Sequence, residues 1–152
     1  MKVSTKGRYA LEAVVDLALN SSNGHENLKN IAERRGFSEN YLEQIFVLLR
    51  RNNIVDSIRG AQGGYRLTRD ASLITTGEII RATEGDMAVV PCAAITEGIT
   101  KKQCDMFDLC VTRILWAKLT DKINEITDSV TVADLVKSYK DMQSDSTLEY
   151  YI

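Results

Sequence analysis

Between Ile54 and Thr68 the chain sets two short β-prone runs around a glycine-rich turn: Ile54 to Ile58, then Arg59-Gly60-Ala61-Gln62-Gly63-Gly64, then Tyr65-Arg66-Leu67-Thr68. A turn this tight needs backbone that enters positive φ without a Cβ penalty, which glycine supplies. The segment reads as a β-hairpin with arginine at its tip. Taken alone, Gly60, Gly63 and Gly64 fit a plain surface turn as well; what precedes them narrows the choice.

Upstream lie three amphipathic segments. From Tyr9 to Leu19, the residues Leu11, Val14, Val15, Ala18 and Leu19 recur at i, i+3, i+4, i+7 and i+8, the apolar stripe of a helix, and Asn20 to Gly24 ends it. Leu28 to Arg35 is a shorter helix with Leu28, Ile31 and Ala32 inward, and Gly36 suits a left-handed terminator. Ser38 is placed to cap a third helix, Glu39 to Arg51, with Glu39 near its positive end. Leu42, Ile45, Phe46 and Leu49 share one face of that helix, while Asn40, Glu43, Gln44, Val47 and Arg51 share the other.

Two helices joined by a turn of about three or four residues form a helix-turn-helix, whose second helix offers its polar face to the DNA major groove. A plain helical bundle explains the pair nearly as well, but a hairpin placed next reads as a wing. Arg59 then enters a minor groove, while Arg50, Arg51, Arg66 and Arg69 lie near phosphates.

Charge is distributed to match. Residues 1–70 carry eleven Lys and Arg against eight Asp and Glu, a balance of +3, whereas residues 71–152 carry eight against thirteen, a balance of −5. Five arginines and a single acid, Asp56, fall between Arg50 and Arg69. One half is suited to an anionic partner and the other is not.

Downstream, Thr76 to Glu84 predicts a helix that closes the winged domain, stopped by Gly85. A loop from Asp86 to about Asp108 holds the only proline, Pro91. Beyond it Trp116, Leu119, Ile123, Ile126 and Val130 step by 3, 4, 3 and 4, and seven residues before Trp116 stands Leu109, a heptad seam. Such a seam is best covered by the same helix of a second copy, which predicts a homodimer; packing on its own domain is the alternative. A short last helix, Val132 to Tyr139, precedes a polar tail, Lys140 to Glu149, expected to be flexible. The expected divisions are a winged head at 1–85, a cysteine-containing sensory loop at 86–108, a dimerisation helix with a short final helix at 109–139, and a flexible tail at 140–152. The expected fold class is mainly α.

Several function classes recede. The 152 residues suit one ordinary domain or a small domain with an oligomerisation arm. No run reaches the roughly 18 apolar residues a membrane helix needs, and Met1 to Lys6 lacks the apolar core of a signal peptide, so a cytoplasmic protein is expected. His25, the sole histidine, sits in a polar loop with no recognisable nucleophile nearby and reads as an ordinary surface residue. No phosphate loop or paired-carboxylate motif is present, so an enzyme is not expected.

The three cysteines, Cys92, Cys104 and Cys110, fall within nineteen residues with the spacing C-x11-C-x5-C, directly before the long helix. In a reducing cytosol a structural disulfide is disfavoured, and the paired knuckles usual for zinc are missing. A metal, an iron–sulfur cluster, a redox switch and plain free thiols remain open on spacing alone.

Ser4-Thr5-Lys6-Gly7-Arg8-Tyr9-Ala10, Tyr41-Leu42-Glu43-Gln44, Leu49-Arg50-Arg51 and above all Ser57-Ile58-Arg59-Gly60-Ala61-Gln62-Gly63-Gly64-Tyr65 resemble the Rrf-type winged-helix repressors, which include IscR-like and CymR-like branches. The resemblance implies a bacterial homodimeric transcription factor on a near-palindromic double-stranded operator. It implies Asn40, Glu43 and Gln44 as base-facing residues of the recognition helix and Arg59 as the minor-groove residue of the wing. Gln44 suits adenine, and Glu43 is tolerated mainly where it accepts from cytosine N4, which makes it a filter between classes of site. Cys92, Cys104 and Cys110 match the cysteine ligands of the cluster-binding branch, implying an iron–sulfur cluster of two-iron two-sulfur type. Two departures stand out: the first gap is longer than in that branch, and Arg113 occupies the place of its histidine ligand. Arginine stays protonated, so a fourth ligand has to come from a carboxylate, a partner subunit or outside. The ending Glu149-Tyr150-Tyr151-Ile152 resembles instead the cysteine-metabolism branch, which implies Tyr151 and Ile152 as contacts for a cysteine synthase, a partner able to capture a terminal carboxylate.

Overall fold

The computed structural model describes residues 3–21, 24–93 and 105–148; Cys104, Tyr151 and Ile152 lie outside them. The chain is mainly helical, with a single two-stranded antiparallel sheet among the described residues. Helix α1 spans Thr5–Asn20 and starts four residues ahead of Tyr9, where the sequence predicts it, because the Ser4 hydroxyl accepts from Lys6 N–H at 3.1 Å and caps it. Helix α2, Leu28–Arg35, is capped by Asn27 and closed by Gly36 at φ 68°. Helix α3, Glu39–Arg51, has the predicted bounds, but Ser38 makes no side-chain cap bond; its carbonyl accepts from Leu42 N–H at 3.0 Å instead.

Strands β1, Val55–Ile58, and β2, Gly64–Leu67, pair from Val55↔Leu67 to Ile58↔Gly64. The hairpin is anchored twice. Tyr65 packs edge-on against buried Phe46 of α3, with centroids 4.8 Å apart. Glu26, in the α1–α2 connection, exchanges both backbone hydrogen bonds with Tyr65 at 2.8 Å, adding a one-residue rung to the sheet. The core lies between α1, α2, α3 and the hairpin, with Leu17, Ile31, Leu42, Ile45, Phe46, Leu49 and Ile54 almost fully buried.

Helix α4, Thr76–Glu84, closes this head through a capping box between Thr75 and Glu78. Glu84 ties it back to α1, accepting from Ser4 Oγ and from Gly7 N–H. Helix α5, Val111–Ser129, begins two residues after Leu109 and lies against α4. Helix α6, Val132–Leu148, departs from expectation: it does not stop at Tyr139 but carries Lys140 to Leu148, read from sequence as flexible tail, in continuous helix. No glycine or proline interrupts that stretch. Ser138 and Ser144 return their hydroxyls to the carbonyls of Asp134 and Lys140, and buried Val132 with Val136 moors the helix start on the core.

Candidate nucleic-acid interface and thiol site

The amphipathic pattern of α3 fixes what the head presents. Burial of Leu42, Ile45, Phe46 and Leu49 leaves Asn40, Glu43, Gln44, Arg50 and Arg51 exposed on the opposite side. An open groove of about 440 Å³ separates this face from the hairpin, lined by Lys29, Glu39, Glu43, Val47 and Tyr65. At the hairpin tip Arg59 is exposed and Gly60 holds φ 122°, a conformation L side chains rarely adopt. Gly64 is required for a different reason, since a Cβ there would strike the Glu26 carbonyl.

The arginines do not form one class. Arg50 reaches Ser57 Oγ at 3.4 Å and so leans on β1. Arg66 pairs with its cross-strand partner Asp56 at 3.2 Å, both about half exposed, and a pair this open holds the side chain weakly. Arg69, placed near phosphates by the sequence reading, is engaged by partners within the chain: it donates to the Leu73 and Asn53 carbonyls at 3.1 and 2.9 Å and to Glu78 at 2.5 Å. It ties the foot of the wing to α4.

Two more clusters escaped the sequence reading. Asp16 is 2 % exposed on α1 and accepts from Arg34 Nε and Nη2, Arg35 Nε and Asn20 Nδ2, so two guanidinium groups lock α2 to α1. Arg34 also reaches Glu26 at 2.8 Å. Burial pushes the Glu26 carboxyl up, but hydrogen bonds from Asn27 and Asn30 together with Arg34 outweigh it and hold the group below its ordinary range. His25, read as an ordinary surface residue, is half-buried with Nε2 2.6 Å from the Gln62 carbonyl at the wing turn. No sequence signal announces that contact, which joins positions 37 residues apart.

Cys92 sits in a single 3-10 turn, Pro91–Ala93, packed against α5, where Val89 N–H donates to buried Thr120 Oγ1 at 3.2 Å. Cys110 is the residue before α5, its Sγ 3.3 Å from Thr112 Oγ1. Hydrogen bonds from the Thr112 hydroxyl and the Arg113 backbone N–H, with the Arg113 charge, hold its thiol below the ordinary range. The thiols described, Cys92 and Cys110, are free. The fold thus brings the turn of one onto the helix that the other begins, while the third, Cys104, is outside the described residues. Two free thiols, one biased toward thiolate, are chemically suited to a thiophilic metal or cluster. Arg113 is not: its guanidinium lies 3.9 Å over the Phe107 ring and its charge is permanent.

Helix α5 connects this thiol region to the head. Arg81 of α4 donates to Asn124 at 3.1 Å and to Asp128 at 2.5 Å, Thr76 Oγ1 donates to the Thr127 carbonyl at 2.7 Å, and Thr76 N–H donates to the Val130 carbonyl at 2.9 Å. The predicted seam is divided. Trp116 and Ile123 are half-buried, whereas Leu119 and Ile126 join Val111, Ile114 and Leu115 in an exposed apolar stripe. No described helix is long and apolar enough to cross a membrane.

The family model of Rrf2, iron-dependent transcriptional regulators, matches residues 3–138. The HTH-type transcriptional regulator IscR of Escherichia coli (strain K12 / DH10B) is 41% identical over 138 residues, covering 91% of this chain and 82% of that protein. Among solved structures, IscR of T. potens is 43% identical with a TM-score of 0.73, covering 94% of this chain and 91% of its own. CymR, the global cysteine regulator of B. subtilis, is 38% identical with a TM-score of 0.72, covering 91% and 98%. The chain belongs to the Rrf2 family of transcriptional regulators, winged-helix proteins that are not enzymes.

Proposed function

We propose that this protein is a cytoplasmic, homodimeric repressor that grips a bacterial operator with α3 and the hairpin of each subunit and responds to iron–sulfur or thiol status through Cys92, Cys104 and Cys110. One observation carries the DNA half of this reading: α3 buries its apolar face and turns Asn40, Glu43 and Gln44 outward beside a groove whose far wall is the arginine-tipped hairpin. Base edges are then met by α3, a minor groove by Arg59, and phosphates by Arg50, Arg51 and Arg66. Arg69 has no part in this.

The three cysteines would hold the iron–sulfur group, which when bound supplies thiolate-anchored redox chemistry. The chain's own part is mechanical. Cys110 begins α5, α5 is tied to α4 through Arg81 and Thr76, and α4 is tied to the foot of the wing through Glu78 and Arg69. A change at the thiols acts on DNA only as a difference in free energy between two dimer states, about 1 to 3 kcal/mol for couplings of this kind. Protein purified and reconstituted without oxygen should absorb visible light and lose that absorption in Cys92→Ala, Cys104→Ala or Cys110→Ala; a colourless wild type overturns the cluster reading and leaves thiol oxidation.

The likeness to a cysteine regulator over 98% of that chain favours a second reading, in which the tail residues Tyr151 and Ile152 dock a cysteine synthase. Removing both residues should then abolish co-elution with that enzyme, and unchanged co-elution rejects the idea.

A further inference from the structure

The wing turn has few bonds of its own to hold its angle. Beyond the Ile58↔Gly64 pair the chain crosses Arg59-Gly60-Ala61-Gln62-Gly63, where two glycines contribute no side-chain packing. The turn has one hydrogen bond of its own, Gly63 N–H to the Gly60 carbonyl at 3.0 Å. The rung made by Glu26 reaches only as far as Tyr65. Behind the turn lies a cleft of about 470 Å³, lined by His25, Glu26, Asn27, Asn30 and Gln62, into which an unsecured loop can swing.

His25 lines that cleft and reaches the turn across it. We infer that His25 is a positioning residue for the wing: by bonding the Gln62 carbonyl at 2.6 Å it holds the turn at the angle from which Arg59 reaches DNA. A carbonyl only accepts, so ring Nε2–H is the donor. The adjacent Glu26 rung fixes the backbone that carries the imidazole, so the staple is anchored at its fixed end and acts on its mobile end. The role of His25 rests on the reading of the hairpin as a DNA-contacting wing, while the hydrogen bond itself does not.

The full-length chain, its His25→Ala and His25→Gln variants, and each of these combined with Arg59→Ala are the test. Gln keeps an N–H donor at similar reach and Ala does not. Cleavage by trypsin after Arg59, followed by mass spectrometry without DNA, reports freedom of the turn. Affinity is measured by anisotropy on duplexes selected by the wild type from a random library. A lost hydrogen bond of ordinary strength should speed that cleavage and weaken duplex binding by about three- to tenfold in His25→Ala. His25→Gln should restore both, and His25→Ala should add little to Arg59→Ala. Unchanged cleavage in His25→Ala, or no rescue by Gln, overturns the staple. If cleavage quickens but Arg59→Ala binds DNA like wild type, the DNA reading of the hairpin fails and takes the role of His25 with it.

Discussion

Arg59 and Arg51 are both exposed, yet they stand in different places and should lose different things. Arg59 is carried by the wing tip, so Arg59→Ala should cost about 1 to 3 kcal/mol on a selected duplex and little on random DNA. Arg51, at the end of α3, meets phosphate in the proposed complex; Arg51→Ala should weaken both and lower the salt slope by about one. Anisotropy titrations at several salt concentrations separate the two, and equal behaviour rejects the assignment. A second forecast at this scale concerns Cys110. Because its thiol is held low, first by Thr112, it keeps more thiolate near neutrality than an ordinary cysteine. Iodoacetamide should label it faster at pH 7 in wild type than in Thr112→Ala, with the difference closing as pH rises through the thiol range; peptide mass spectrometry reads the rates. Exposed residues of α3 were legible from periodicity because helical spacing alone assigns a face. Arg69 and His25 were not, since nothing in a linear pattern says which carbonyl a long or ring side chain will find.

Between elements, α4 comes close to α5 at Gly77. A Cβ at Gly77 would collide with Asp128 Oδ1 and crowd the Arg81 guanidinium, so glycine is there to admit the clasp. Gly77→Ala gains about 0.5 to 1 kcal/mol of helix propensity but overpacks the contact at about 1 to 3 kcal/mol. The second effect wins, and urea unfolding should show net destabilisation; a more stable variant would mean that Asp128 swings aside freely. Helix bounds were legible where a terminator is local: Gly36 and Gly85 close α2 and α4 as expected. The end of α6 was not, because polar residues forbid neither helix nor coil, and the moored first turns on α1 carry the rest forward by propagation.

For the molecule as a whole, the apolar stripe on α5 is too large to leave in water. Val111, Ile114 and Ile126, with Leu109 just ahead of the helix, are each more than 60 % exposed in the single chain. We therefore propose that the same helix of a second copy covers it, as two-fold symmetry allows with one surface. Sedimentation should give twice the 17.0 kDa chain mass, and Leu115→Glu, which places charge in the stripe without touching the head core, should give the monomer and lose specific operator binding. A monomeric wild type would reject the paired grip.

Local chemistry in the sequence determined the helices, the glycine turn and the outward face of α3, because spacing, capping and positive φ act over a few residues. The fold alone decided that Arg69 is a brace, that Asp16 gathers two arginines, that His25 meets the wing, and that half of the α5 seam is already covered by the chain itself. Those outcomes depend on which surfaces remain close after the core has packed, and burial is a property of the assembled chain.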